Sequence, residues 1–124
     1  MKTTQTIWFP DLEATIAVVR NLTISQERLD VLEPLIQYVQ DKWTEGNPIT
    51  LNFICTHNSR RSQFSQVWAY TLSHYFGMTE LLTFSSGTES TSLYSSVIDS
   101  LSNHGFKTKK LVSSENPKYS IRIS

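Results

Sequence analysis

Apolar positions along this chain change period once, near residue 48. Before that point Leu12, Ile16, Val19 and Leu22 recur at three- and four-residue intervals, the repeat of a helix with one buried stripe. Pro10 suits the first position of that helix, where its missing N–H is no loss. A second stripe, Leu32, Ile36, Val39 and Trp43, follows Ser25, which predicts an N-cap, with Ile24 and Leu29 placed to staple the entry. Gly46 and Pro48 end this helix. Pro34 falls inside it and predicts a kink or a separate first segment, because it lacks the N–H its turn needs.

Beyond residue 48 the run LNFIC (51–55) predicts a short strand buried on both faces. Phe64, Val67, Trp68, Thr71, Leu72 and Tyr75 predict a helix closed by Gly77. LLTFSS (81–86) predicts a second strand ending at Gly87, and Leu93, Val97, Ile98 and Leu101 a helix closed by Gly105. KYSIRIS (118–124) alternates like a third strand. The Ser/Thr-rich stretch from Thr83 to Ser102 keeps these apolar positions and reads as ordered, its hydroxyls serving turns and caps. The order helix, helix, β-α-β-α-β predicts an α/β fold: a parallel sheet with flanking helices over 49–124, preceded by a helical N-terminal extension over 1–48. Three parallel strands are few, and the last would present an open edge, which leaves room for a homodimer or a second chain completing the sheet.

Composition sharpens this picture. At 124 residues and 39% apolar the chain is sized for a single domain with a core of its own. Eleven basic residues balance eleven acidic ones, which argues against nucleic acid as the partner. Residues 1–50 carry seven acids and four bases, net −3, and residues 51–124 four acids and seven bases, net +3, so an anion belongs with the second half. The lone cysteine, Cys55, allows no internal disulfide and no multi-cysteine zinc site, and suits a reducing compartment. No metal is expected. Pro10, Asp11, Glu13 and Arg20 interrupt the first apolar stretch, so no signal core is expected there. No run nears the roughly 18 apolar residues of a membrane span, and the expected setting is cytoplasmic, with no membrane.

Chemistry concentrates in ICTHNSRRSQF (54–64), between the first strand and the next helix. In α/β sheets ligands bind beyond the carboxyl ends of strands, and a helix N-terminus offers N–H groups and partial positive charge to an anion. A loop from Cys55 to Arg61 can turn its N–H groups inward around a tetrahedral dianion, and Arg61 supplies a planar fork for two of its oxygens. The same surroundings lower a thiol pKa and predict Cys55 as a thiolate nucleophile. Ser62 can hydrogen-bond that sulfur, and Asn58 tolerates the left-handed backbone of a tight loop.

The C-x5-R-S spacing after a strand resembles the low-molecular-weight protein tyrosine phosphatases and the arsenate reductases that share their fold. The resemblance implies Cys55 as nucleophile, Arg61 as phosphate-binding arginine, Ser62 as thiolate-stabilising serine and Asn58 as the residue ordering the loop. Thr56 and Ser59 also match the arsenate-reductase variant of the loop, and His57 and Arg60 complete its substrate-binding lining. SSGT (85–88) looks like the family's S-A-G-T segment, in which Ser85 would hydrogen-bond Asn58. SSVIDSLSNHGF (95–106) is similar to the helix that follows. The likeness spans roughly residues 49–108 and implies a flavodoxin-like, phosphotyrosine protein phosphatase I-like sheet.

The departures are specific. His57 stands where the family has glycine, and Arg60 replaces a second loop cysteine, removing a resolving thiol and adding charge. The family's general acid, an aspartate followed by proline, has no counterpart: the chain contains no Asp-Pro. Glu115, Asn116 and Pro117 imitate it but precede the third strand and are not expected at the site. The family's remaining strand, acid loop and last helix are missing from the sequence, so the phosphatase-like domain is expected to be partial at its C-terminus. The expected function is phosphomonoester hydrolysis through a cysteinyl-phosphate, with phosphate or a phosphorylated substrate as partner and no cofactor. The alternatives are arsenate reduction at the same cysteine with an external thiol, and a noncatalytic phosphate-binding or interaction fragment. His74 and His104 read as surface or cap residues, Asp99 and Glu89 as a solvated helix residue and a turn residue, and Trp68, Tyr70, Tyr75 and Phe76 as packing.

Overall fold

Helix boundaries follow the local signals closely. In the computed structural model, which describes residues 7–56, 60–78, 80–88, 95–112 and 118–124, Pro10 opens α1 (Pro10–Arg20) and Ser25 caps α2 (Gln26–Thr44), its hydroxyl accepting from the Arg28 N–H at 3.2 Å. Then come β1 (Ile49–Cys55), α3 (Arg61–Tyr75), β2 (Leu81–Gly87), α4 (Ser95–Asn103), β3 (Lys107–Val112) and β4 (Lys118–Arg122). Three helices end alike. Asn47, Met78 and Phe106 donate back to the carbonyls of Lys42, Ser73 and Leu101, while Gly46, Gly77 and Gly105 donate to Trp43, His74 and Ser102, with all three glycines at positive φ. This pairing satisfies carbonyls that the last turn would otherwise leave open.

Pro34 neither breaks nor divides α2, which runs through it as one helix. The expectation of separate segments fails because Asp30, whose carbonyl loses its partner, is exposed on the same side, where water can satisfy it.

The core gathers Leu12 and Ile16 from α1, Val97 and Leu101 from α4, and Phe106 and Ile123 from either end of the β3–β4 hairpin. Phe64, Val67, Trp68 and Leu72 of α3 pack on it, Trp68 meeting the Phe106 ring edge-on at 5.2 Å. Each fully buried leucine or isoleucine contributes about 2 kcal/mol in apolar transfer. The segment before α1 is tied to the chain's other end, the Phe9 N–H donating to the Ile123 carbonyl at 3.2 Å. Gly105 is fixed by this packing: a Cβ there would collide with the Leu12 amide nitrogen and lie 2.6 Å from Leu12 Cα.

The fold is mixed α/β, with a small parallel sheet flanked by helices, but two strand expectations need correction. First, β1 and β2 form a two-stranded parallel sheet in register from Ile49↔Leu81 to Cys55↔Gly87, and 118–124 does not join it. Instead β4 pairs antiparallel with β3, an unpredicted strand, in a separate sheet. The Lys-rich β3 has no apolar alternation to announce it, and its antiparallel neighbour captures the last segment. Second, β1 is not buried on both faces. Its odd positions face α3, whereas Thr50, Asn52 and Ile54 are exposed beside Leu82 and Phe84 of β2.

Candidate functional site

The parallel register places the carboxyl ends of β1 and β2 side by side, and α3 begins six residues after β1 ends. Cys55 is the last residue of β1, half-buried on the face turned to α3. Ser62, the second residue of α3, is buried, and its Oγ lies 3.1 Å from the Cys55 Sγ. Seven residues apart in sequence, the two groups meet because strand and helix share one turn of loop. A hydroxyl at that distance can donate to a thiolate or to the sulfur of a thioester-like adduct.

The start of β2's exit is fastened to the same loop. The Thr88 N–H donates to the Cys55 carbonyl at 3.2 Å, and the Thr88 hydroxyl to the Thr56 carbonyl at 3.4 Å. Thr56 is exposed at the bend after β1. Arg60 sits at the N-cap of α3 with a backbone that is neither helical nor extended (φ −133°, ψ −79°), and its carbonyl accepts the first intrahelical bond from Phe64 N at 2.9 Å. Arg61 opens the helix, and both arginines are exposed. No acid occurs in the first turn of α3, so helix dipole and two guanidinium groups together make this end positive. His57, Asn58 and Ser59 lie outside the described residues, as do Glu115, Asn116 and Pro117.

Ser85 is bonded to Gln66, while Asn58, the partner the resemblance implies, lies outside the described residues. The Ser85 Oγ donates to the Gln66 Oε1 at 2.7 Å, and the Gln66 Nε2 donates to the Thr83 carbonyl at 3.0 Å. Gln66 thus holds β2 against α3 one turn beyond Ser62, on the same helix face. The sequence gives no sign of it: a glutamine at a helical i+4 position reads as surface. Because Thr88 N and Glu80 O both bond toward β1, the alternation of a strand turns Thr83 to the outer edge of β2, where Gln66 caps its carbonyl.

A groove of about 660 Å³ runs along that edge, between α3 and the β4 segment, lined by Gln63, Gln66, Tyr70, His74, Phe84 and Ile121 among others. Neither Cys55 nor Arg61 lines it. His74 faces the Tyr70 carbonyl through Nδ1 at 3.0 Å, and His104 the Ser100 carbonyl at 2.7 Å, so both act at helix backbone. Trp68 packs in the core periphery and Tyr75 meets Trp8, while Tyr70 and Phe76 are exposed. Among the described residues no group of histidine, cysteine and carboxylate side chains could hold a metal ion, and no helix is long and apolar enough to cross a membrane. Comparisons with protein-family models, with curated proteins and with solved structures find no match to this chain.

Proposed function

We propose that the chain is a cysteine-dependent phosphomonoesterase of the low-molecular-weight tyrosine phosphatase type, acting through a cysteinyl-phosphate at Cys55. The observation that carries this reading is the 3.1 Å approach of the Cys55 sulfur to the buried Ser62 hydroxyl, where a strand ends and an arginine-led helix begins. In this reading the β1–α3–β2 unit is the phosphate-loop part of a flavodoxin-like domain, residues Thr56 to Arg60 line the substrate, and the setting is cytoplasmic with no metal or cofactor.

The Cys55 thiolate attacks phosphorus, the P–O ester bond breaks, and the leaving oxygen departs with the electron pair. Arg61 and the N–H groups of the loop hold the equatorial oxygens as charge moves onto them. Water then attacks phosphorus, the P–S bond breaks, and phosphate leaves while Ser62 donates to the returning thiolate. A positioned general acid supplies typically 10²- to 10⁴-fold, and residues 1–124 contain no Asp-Pro to serve as one. Esters of acidic phenols, whose leaving oxygen needs no such acid, are therefore the substrates on which Cys55 is best tested.

Hydrolysis of an activated aryl phosphate at neutral pH, with Cys55→Ser alongside, tests the reading. Turnover that disappears in Cys55→Ser is the expected result. Arsenate-dependent mixed-disulfide formation at Cys55 in an external thiol, without phosphatase turnover, would replace it with reduction. Phosphate affinity in both proteins without turnover in either would leave a binding module.

A further inference from the structure

Among the described residues, two surfaces carrying large apolar side chains stand mostly uncovered. One is the open face of the β1–β2 sheet, where Ile54, Leu82 and Phe84 are 64%, 54% and 51% exposed and the register sets them on one side with Thr50, Asn52 and Ser86, the last two already satisfied by each other through Ser86 Oγ donating to Asn52 Oδ1 at 3.2 Å. Parallel sheets ordinarily carry helices on both faces, and here α3 packs on the opposite one. The other surface is α2, a 19-residue helix with no buried residue. At 3.6 residues per turn, Val31, Leu35, Ile36, Tyr38 and Trp43, each 40–64% exposed, fall on one half of its circumference. Asp30, Glu33, Gln37 and Asp41 fall on the other, with Pro34. That apolar arc is wider than a two-helix seam requires. The charges within it, Arg28 and Lys42, have long stems that can lie along an apolar surface, and Lys42 Nζ already sits 6.0 Å over the Tyr38 ring.

The two surfaces match in size. Two strands about 4.8 Å apart present a strip as wide as one helix of about 10 Å. Seven strand residues span about 23 Å, and nineteen helical ones about 28 Å. Yet α2 is held off its own sheet. The α2–β1 link is closed by Asn47 N to Lys42 O at 2.9 Å, Gly46 N to Trp43 O at 3.1 Å and Asn47 Nδ2 to Glu45 Oε2 at 2.8 Å. Ile49 N is already bonded to the Glu80 carbonyl at 3.0 Å. Folding the helix back would break this cap, and no α2 residue takes part in the core.

From this we infer that the chain pairs with a second copy of itself, α2 of each copy lying across the open β1–β2 face of the other. Reciprocal exchange covers both apolar surfaces on both copies and closes the assembly at two. Pro34 and the acids of α2 then face water.

Mass measurement by light scattering, from micromolar to submillimolar concentrations of the 124-residue chain, tests this together with two variants. Phe84→Asp places a charge on the sheet face and Leu35→Lys on the helix, both at side chains already substantially in water, so circular dichroism of the variants matches the parent. The parent is expected at twice 14.2 kDa. Each variant alone should dissociate at least about 100-fold more readily, since it buries unpaired charges. Mixing the two should restore the dimer, because one interface then pairs lysine with aspartate and the other is unaltered. A parent that stays at the mass of one chain throughout, or a dimer indifferent to Phe84→Asp as helix-to-helix pairing would be, overturns the inference.

Discussion

At the level of single residues the proposed reaction rests on Ser62. Its burial and its 3.1 Å approach to Cys55 Sγ would let it steady the sulfur as the proposed phosphoenzyme breaks down. A hydrogen bond to a charged group is worth about 1.5–3 kcal/mol. Ser62→Ala should therefore keep the initial burst of phenol from an aryl phosphate and slow the steady state roughly 10- to 100-fold, as rapid-quench kinetics would show. Arg61→Lys keeps the charge and loses the planar fork; kcat/KM is expected to fall about 100-fold. An unchanged kcat/KM in that variant would remove Arg61 from the oxyanion contacts. Gln66 is the residue that sequence reasoning could not supply, since only the structure brings its amide between Ser85 and the Thr83 carbonyl.

Among the elements, three helices stop in the same way, but their glycines differ in what surrounds them. A Cβ on Gly46 would meet nothing within 4 Å, whereas one on Gly105 would strike the backbone of α1. Gly46→Ala should cost only the left-handed strain, about 1 kcal/mol, and Gly105→Ala about 3 kcal/mol or more, compared by urea unfolding. Equal costs would mean that α1 does not pack against the α4 terminus as described. These helix ends were legible in the sequence because positive φ selects glycine almost alone, and the Ser25 cap and the Pro10 start were legible for similarly local reasons. The strands were less so. LNFIC looks the same whether one face or both are covered, and only the neighbours of β1 decide. KTKKLV carries lysine where a pattern would need apolar residues. The cluster Ser113-Ser114-Glu115-Asn116-Pro117 was the available hairpin signal, turn-forming residues between two short extended runs.

The molecule as a whole divides its stabilising contacts unevenly. Leu12 and Ile16 of α1 belong to the core with α4 and the hairpin, so Leu12→Ala should lower stability by about 3 kcal/mol, read as a shifted denaturation midpoint. The parallel β1–β2 sheet is packed on one side by α3 and open on the other. The parallel β1–β2 pairing and the juxtaposition of Cys55 with the α3 N-terminus agree with the chain's charge, which turns positive in its second half. The meeting of Cys55 with Ser62 at a strand–helix junction was legible from the C-x5-R-S spacing; the antiparallel destination of the last strand was not, because pairing is settled by the whole fold rather than by a segment's own alternation.

The central claim is that Cys55 carries the phosphoryl group during turnover. The most direct measurement is mass analysis of the protein quenched in acid during hydrolysis of an aryl phosphate. One phosphoryl group on the peptide containing Cys55, absent from Cys55→Ser, is the expected result. Product formation with an unmodified Cys55 peptide in the parent, or turnover retained by Cys55→Ser, would contradict it.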